Sequence, residues 1–268
     1  MIWIDAGVGS LCGALAWLIA NLVVRERKAN KTRYQLLAIL LFSIIFAISK
    51  VWLTPKLHSL YAAATIEKEI LKAPPWQALR THDPASYHLL ITSVKAQIQQ
   101  GKSVKEVVTE TRNRIAPIIL KRMPNTHDDI AVNYMRTNLD ELKELMADPD
   151  DYCYRFLFPE YAEPVNFIPR LKKETIQRDL DALASVIRTS ATSPLPAPTE
   201  AQVQPTLARE FTSLAHKYGA DWELINAPQQ TLQARRKVCT MSMEMFESLL
   251  ALPPEQSGPA LRYLMTLR

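Results

Sequence analysis

Two long apolar stretches near the start of the chain dominate its hydrophobic pattern. Residues 2–24 carry one charged side chain, Asp5, and residues 34–53 again carry one, Lys50. At about 1.5 Å per residue in a helix, each stretch is long enough to cross a hydrocarbon core about 30 Å thick. The first stretch lacks the leading Lys or Arg that a secretory signal carries. We therefore expect residues 1–55 to form a two-helix transmembrane hairpin.

The connection between the two stretches, residues 25–33, is strongly basic. It contains five Lys or Arg residues and a single Glu. Short loops rich in Lys and Arg stay on the cytoplasmic side of a membrane. The pattern therefore predicts a two-pass protein of a bacterial inner membrane, with both termini and the domain that follows the hairpin in the periplasm.

Antiparallel packing about this loop brings Asp5 and Lys50 to a similar depth near the periplasmic boundary. Because an unpaired charge is costly there, we expect the two side chains to pair or to share water, as a structural clasp or as part of an ion path. The first stretch also has a face of small residues, which allows close helix approach in lipid. These residues are Ala6, Gly9, Gly13, Ala16 and Ala20. The partner of this face is either the second stretch or another subunit.

After residue 55 the apolar positions recur with helical spacing, and no segment alternates as a strand would. The predicted fold class is therefore all-α. We expect a soluble helical lobe at 56–190, a proline-rich linker at 191–205 and a C-terminal helical section at 206–268 that packs on the first lobe. The prolines of the linker favour an extended connection.

Net charge divides the chain at the same place. The formal charge of +5 belongs to residues 1–56, which leaves 25 basic and 25 acidic residues elsewhere out of the chain's 32 and 27. A surface that binds nucleic acid needs a basic face, and the neutral soluble part shows none in its sequence. We therefore expect no nucleic-acid partner.

The cysteines predict a covalent link. Cys12 lies within the first apolar stretch, which leaves Cys153 and Cys239 in the soluble part. Two cysteines in an oxidising compartment pair more often than not. We expect them to form a disulfide that closes a long loop, worth about 4 kcal/mol in the chain-entropy model.

An aromatic and proline-rich segment runs from residue 152 to residue 169. Its rings either plug the core between helices as an irregular strap or form a docking surface, and the pattern favours the strap. The candidates for partner docking are Tyr152, Tyr154, Phe156, Phe158 and Tyr161. Asp150 and Asp151 precede the segment, and adjacent carboxylates before a turn are typical of a solvated cap rather than of a catalytic pair.

No motif for catalysis, metal or cofactor binding is visible. The five histidines lack the spacing of a zinc helix, and the methionines after Cys239 suit core packing better than copper binding. We therefore expect no cofactor, no metal and no catalytic residue.

The sequence favours a non-enzymatic, membrane-anchored envelope protein. Its expected partners are membrane lipid and other proteins or copies of itself, and its expected role is that of a subunit or assembly factor of a membrane complex. The alternatives are a periplasmic hydrolase or peptidoglycan-directed enzyme, and an accessory subunit of a channel or transporter that uses Asp5 and Lys50.

Overall fold

The protein is helical throughout the part of the chain that the structure describes. This computed structural model describes residues 2–25, 31–161, 165–229 and 231–266, and no strand occurs among them. The predicted all-α class is therefore confirmed. Some side chains within these ranges lie outside the description, namely those of 2–6, 9, 20–25, 31–38, 59, 104, 105, 108, 109, 112, 113 and 160.

Two compact units make up the chain. The first contains residues 1–67 and 93–103, and the second contains residues 68–92 and 104–268. The predicted linker at 191–205 thus has residues of one and the same unit on both sides.

The first unit is built around the apolar N-terminal helices. Helix α1 (Ile2–Arg25) packs against α2 (Lys31–Ile48), and α2 continues through a π-helical turn (Ser49–Leu53) into α3 (Thr54–Ile70). Proline has no amide hydrogen and cannot continue regular helical bonding, and Pro55 lies two residues after the end of this wider turn. In the turn, the amide of Thr54 donates to the carbonyl of Ser49.

One helical stretch among the described residues is long and apolar enough to cross a membrane. It comprises the 32 residues Ile39–Ile70, and only 11% of its most apolar window is buried. The described apolar run of α1 is shorter, Ser10–Ile19. The two-helix transmembrane hairpin is therefore not confirmed as a whole, and most of its predicted basic loop, 26–30, lies outside the described residues.

The second unit contains most of the remaining helices. Its described α-helices are α4 (Pro74–His82), α5 (Pro84–Gln99), α6 (Val104–Arg122), α7 (Asp128–Met146), α8 (Tyr152–Leu157), α9 (Lys173–Thr192), α10 (Glu200–Tyr218), α11 (Leu232–Leu250) and α12 (Pro254–Leu264). The end of α5, from Ser93 onward, belongs to the first unit. Short 3-10 turns connect several of these helices, at Met123–Asn125, Pro159–Tyr161, Ile168–Arg170 and Gly219–Asn226.

Helix α7 is the centre of the second unit. It packs against α8, α9, α11 and α12. Leu139, Leu142 and Leu145 recur at steps of three residues, which places them along one side of the helix. Leu142 and Leu145 are completely buried. Burial of this kind stabilises a fold by about 1.5–3 kcal/mol per large apolar side chain, so α7 anchors the helices that surround it.

The proline-rich segment is fixed from two sides. The amide of Leu195 donates to the carbonyl of Asn125 at 3.0 Å, and Nδ2 of Asn125 donates back to the carbonyl of Leu195 at 3.0 Å. Arg262 of α12 is 4% exposed and donates to the carbonyls of Pro124 and Pro196 at 2.7 and 2.5 Å. The segment is therefore held in place as part of the second unit.

Candidate functional site

The two cysteines of the second unit come together, as the sequence predicted. Cys153 of α8 and Cys239 of α11 lie at disulfide distance, with their Cα atoms 6.1 Å apart and a separation of 86 positions in sequence. Both side chains are buried. Cys12, in the first unit, is a buried free cysteine.

An ionic cluster lies next to this cysteine pair. Oδ1 of Asp151 accepts a hydrogen bond from Nε of Arg155 at 2.6 Å, and its Oδ2 accepts one from Nη1 of Arg235 at 2.5 Å. Burial of Asp151 opposes its ionisation, but the hydrogen bonds from Arg235 and Arg155 outweigh that effect and lower the pKa of the carboxyl group. Asp151 is 8% exposed, so the expected solvated cap is wrong for this residue, whereas Asp150 is exposed.

A second arginine of α11 holds the chain that leads into α8. Arg236 donates to the carbonyls of Met146, Asp148 and Asp150, at 3.1, 2.7 and 3.3 Å. Main-chain carbonyls between helices need partners when they leave water, and Arg236 supplies three. The start of α11 therefore fixes both α8 and the turn before it.

Most of the aromatic segment belongs to the interior. Tyr154 is 2% exposed, packs on Val238 and Met241, and accepts a hydrogen bond at its hydroxyl from the amide of Gln229 at 2.9 Å. Phe158 packs against the same buried cluster. These contacts fit the strap interpretation.

The remaining rings of the segment divide between interior and surface. Tyr152 and Phe156 each meet the buried Phe167 edge to face. The guanidinium of Arg170 lies 3.8 Å from the centre of the Tyr152 ring. Tyr161 is 49% exposed, so of the five docking candidates it is the one most available to a partner.

In the first unit, the described part of the predicted small-residue face meets α2. Ala16 is buried, and a methyl group placed on Gly13 would lie 3.8 Å from the ring of Phe42. Sγ of Cys12 and Oγ of Ser49 form a hydrogen bond of 3.1 Å, which the sequence reasoning missed. Its only sequence signal is that both residues are polar within apolar stretches.

The predicted charge pair of the hairpin remains a prediction. The side chains of Asp5, Ala6, Gly9 and Ala20 lie outside the described residues. Nζ of Lys50 lies 5.8 Å from the centre of the Phe46 ring. The structure thus places Lys50 beside an aromatic ring.

The outward faces of α1, α2 and the π-helical turn form a broad apolar surface. Its large side chains are each at least 37% exposed: Leu11, Leu15, Trp17, Leu18, Ile19, Ile39, Leu40, Phe42, Ile44, Ile48, Val51, Trp52 and Leu53. Soluble monomeric proteins rarely expose apolar surface of this extent, which marks a contact with membrane or protein. This surface is therefore suited to contact with lipid or with another protein.

The described side chains offer little that resembles a metal or catalytic site. No group of three His, Cys, Asp or Glu residues placed to hold a metal occurs among them. One open groove of about 360 Å³ lies between α7 and α9, and its lining includes Arg136, Asp140, Arg178 and Asp181 but no histidine or cysteine. Nη1 of Arg178 donates to Asp140 at 2.8 Å, so part of this charge is neutralised within the groove.

The described features define an all-α protein with an apolar helix exposed along its length and a buried cysteine pair at disulfide distance. Comparison of the chain with protein-family models, curated proteins and solved structures finds no match. Its function is therefore inferred from the surface and contacts of this chain itself.

Proposed function

We propose that this chain is a two-pass membrane protein that acts through contacts with other envelope proteins, as a subunit or assembly factor of a membrane complex. One observation carries the proposal, namely the apolar surface of α1, α2 and the π-helical turn. Its side chains leave water only if lipid or a protein covers them. The removal of apolar surface from water is favourable by about 25 cal/mol per Å². The stretch Ile39–Ile70 exceeds the roughly 20 residues that a span requires.

The second span is supported by the packing of α1 on α2. At about 1.5 Å per residue, the 24 residues of α1 reach about 36 Å, which is enough to cross the hydrocarbon core. The hydrogen bond between Cys12 and Ser49 satisfies two polar side chains that would otherwise face an apolar environment. Gly13 and Ala16 allow the close approach that helix packing in lipid depends on.

Two independent features favour the periplasm for the second unit. The basic residues of 25–33 favour a cytoplasmic loop, which leaves the rest of the chain on the other side. Disulfides persist outside the cytoplasm, and Cys153 and Cys239 stand at disulfide distance.

Protein contact is a better supported role than catalysis. The groove between α7 and α9 is open and lined without histidine or cysteine, and one of its two carboxylates, Asp140, is paired with Arg178, so the groove gives weak support to a hydrolase. The exposed ring of Tyr161, next to a segment otherwise held in the core, is a candidate contact point for a partner.

Topology is tested in intact cells with one added cysteine at a time as the reporter. Ser213→Cys adds a thiol on the exposed side of α10, and Ala29→Cys adds one to the predicted cytoplasmic loop, both in a Cys12→Ala background. A membrane-impermeant maleimide is expected to label the first in intact cells and the second only after permeabilisation. The reverse labelling would place the second unit in the cytoplasm and contradict the proposed topology.

Partner contact is tested in the same cells by a photo-crosslinking residue at Tyr161, with Asp150 as the exposed control position. The expected result is a discrete crosslinked species from Tyr161. If there is none and the detergent-extracted protein is strictly monomeric with nothing bound, the role in protein contacts is wrong.

A further inference from the structure

The cysteine pair of the second unit is shielded from solution. Cys153 is 2% exposed and Cys239 is completely buried. Tyr154 and Val238, each adjacent in sequence to one of the cysteines, are buried as well. Thiol–disulfide exchange begins when a thiolate attacks a sulfur atom of a bridge, so its rate depends on access to that atom. A dissolved thiol therefore reaches this pair only after one of the two helices has moved.

Of the two helices, α8 is the one that moves more easily. It has six residues, and its buried side chains are those of Cys153, Tyr154 and Leu157. Helix α11 has 19 residues, buries twice as many side chains and packs against α7, α10 and α12 as well as α8. Segments with few buried contacts open locally at a smaller free-energy cost than global unfolding. Local opening therefore separates α8 from an α11 that stays in place.

Hydrogen bonds from the start of α11 and the residues before it hold α8 in its closed position. Arg235 donates through Nη1 to Asp151 and through Nε to the carbonyl of Gln229, at 2.5 and 2.7 Å. The amide of Gln229 in turn donates to the hydroxyl of Tyr154 at 2.9 Å. We refer to these four residues as the α8–α11 joint. Because its contacts are polar and few, the loss of one of them should shift the balance towards the open form.

We propose that the α8–α11 joint controls thiol–disulfide exchange at the cysteine pair. An external dithiol reduces the bridge between Cys153 and Cys239 through local opening of α8, while the rest of the second unit stays folded. Asp151 and Arg235 are positioning residues in this process, because they act by holding α8 closed. The proposal concerns the second unit alone and does not depend on the membrane anchoring proposed above.

The exchange takes place in two steps. One thiolate of the dithiol attacks a sulfur atom of the bridge, which forms a mixed disulfide and releases the other cysteine as a thiolate. The second thiol of the reagent then displaces the first cysteine from the mixed disulfide. The dithiol loses two electrons and two protons and becomes a disulfide, and each cysteine of the chain becomes a thiol.

The joint also returns α8 to its place after reduction. The ion pair of Asp151 with Arg235 and the hydrogen bond from Gln229 to Tyr154 involve neither sulfur atom, so the reduced chain retains them. Reduction therefore converts a permanent link between α8 and α11 into a reversible one. An external disulfide restores the bridge by the same two steps in reverse.

Reduction kinetics of the folded full-length protein in detergent test the proposal. The probe is dithiothreitol, and the thiols that appear are trapped with a maleimide in a Cys12→Ala background. Asp151→Asn is expected to accelerate reduction by about tenfold or more, because a hydrogen bond to a charged group is lost. Tyr154→Phe keeps the ring and removes only the hydroxyl, so a smaller acceleration of about threefold is expected.

Leu79→Ala is the matched control, because it destabilises the second unit away from the joint. Leu79 is completely buried in α4, which packs on α9, so its truncation leaves a cavity there. If exchange occurs through local opening, this variant should be reduced at the rate of the parent within about twofold, although it unfolds at lower urea. Equal acceleration by Leu79→Ala and Asp151→Asn would show that reduction requires global unfolding, which would overturn the proposal.

The urea dependence of the reduction rate is an independent test. Global unfolding exposes much surface, so a rate that depends on it rises steeply with urea, whereas the opening of a six-residue helix exposes little. We expect a shallow slope at urea concentrations below the unfolding transition. A slope as steep as that of equilibrium unfolding would contradict local opening. Two reactive thiols before any reductant is added would also overturn the proposal, since no bridge would then exist.

Discussion

Arg235 donates a hydrogen bond to Asp151 at 2.5 Å, although 84 positions separate the two residues in sequence. Asp151 lies two residues before Cys153, and Arg235 lies four residues before Cys239. One ionic link and one cysteine pair therefore join α8 to the first turns of α11 at the same place. Of the two linked helices, α8 belongs to the predicted helical lobe and α11 to the predicted C-terminal section.

Asp151→Asn is expected to lower the free energy of unfolding by about 2–3 kcal/mol, as for a hydrogen-bonded charge that loses its partner. The amide keeps the size of the carboxylate but leaves Arg235 and Arg155 without their counter-charge. Chemical denaturation of the detergent-purified protein measures the change. Asp150→Asn, at an exposed neighbour, is the control and should stay within about 0.5 kcal/mol of the parent. Equal effects of the two substitutions would contradict the described cluster.

Acid should destabilise the protein through its hydrogen-bonded carboxylates. At Asp83, Glu144 and Asp151, burial raises the pKa, but hydrogen bonds to the ionised form outweigh it and lower the pKa below its ordinary value. The folded pKa thus lies below the unfolded value of about 4, so this stabilisation is present above about pH 4 and is lost as the pH falls through the folded values.

The measurement is the free energy of unfolding between pH 7 and pH 3. We expect a decline concentrated at the acid end of this range and a shallower decline for Asp151→Asn, because that variant has one titrating carboxylate fewer. A parent and variant with parallel pH profiles would show that Asp151 does not contribute to the acid sensitivity.

Alkaline pH should destabilise the protein through one tyrosine, Tyr218. Burial and a hydrogen bond to the Glu244 carboxylate raise the pKa of Tyr218 to about 12. The folded pKa lies above the unfolded value of about 10, so this stabilisation is present below about pH 10 and is lost as the pH rises through about 12. Tyr218→Phe is expected to reduce the loss of stability above pH 10, measured by chemical denaturation. An unchanged alkaline profile would contradict this assignment.

The oxidation state of the cysteines can be determined by counting the thiols that react before and after reduction. In denaturant without reductant, the full-length protein is expected to react with one maleimide, at Cys12, and after reduction with three. Replacement of both Cys153 and Cys239 by serine should lower the free energy of unfolding by about 4 kcal/mol, because the long loop is no longer closed in the unfolded chain. Cys12→Ser is the control for thiol counting, and three reactive thiols before reduction would show that no bridge forms.

The sequence predicts best those features that are determined by neighbouring residues, such as a helix cap, or that have few possible partners, such as a pair of cysteines. An Asp-Pro pair such as Asp83-Pro84 is a sequence signal for the start of a helix, and Oδ1 of Asp83 accepts a hydrogen bond from the amide of Ser86 at 3.1 Å at the start of α5. The cysteine pair was predictable because the soluble part offers a single pairing. Helix α8 was missed because six residues carry little periodic signal, and because its contacts come from α7 and from α11, which lies far along the chain.

Arg262 shows more clearly what the sequence alone cannot predict. In sequence it is one more basic residue of a terminal helix, where side chains usually face water. The structure buries it against Pro124 and Pro196, whose carbonyls it binds, and against Asp128. These partners lie 66 to 138 positions away, so no local sequence pattern predicts that the guanidinium is buried.

Gly258→Ala tests how closely α12 packs on α7. A Cβ at this position would overlap the side chain of Asp128 and lie 3.0 Å from its Cα. Helix propensity alone would favour alanine over glycine by about 1 kcal/mol. The overlap, however, pushes α12 away from α7 and strains the 2.9 Å bond from Arg262 to Asp128. We therefore expect a net loss of about 1–3 kcal/mol, the usual cost of overpacking.

The neighbouring residue supplies the matched control for this substitution. Ser257 is 1% exposed, and its Oγ has no hydrogen-bond partner in the described part of the chain. Ser257→Ala removes a buried polar atom without adding volume, so it should be neutral or slightly stabilising. Denaturation of both variants in the same detergent makes the comparison. A stabilising effect of Gly258→Ala would mean that helix propensity outweighs packing here, and that α12 does not lie as close to α7 as the structure places it.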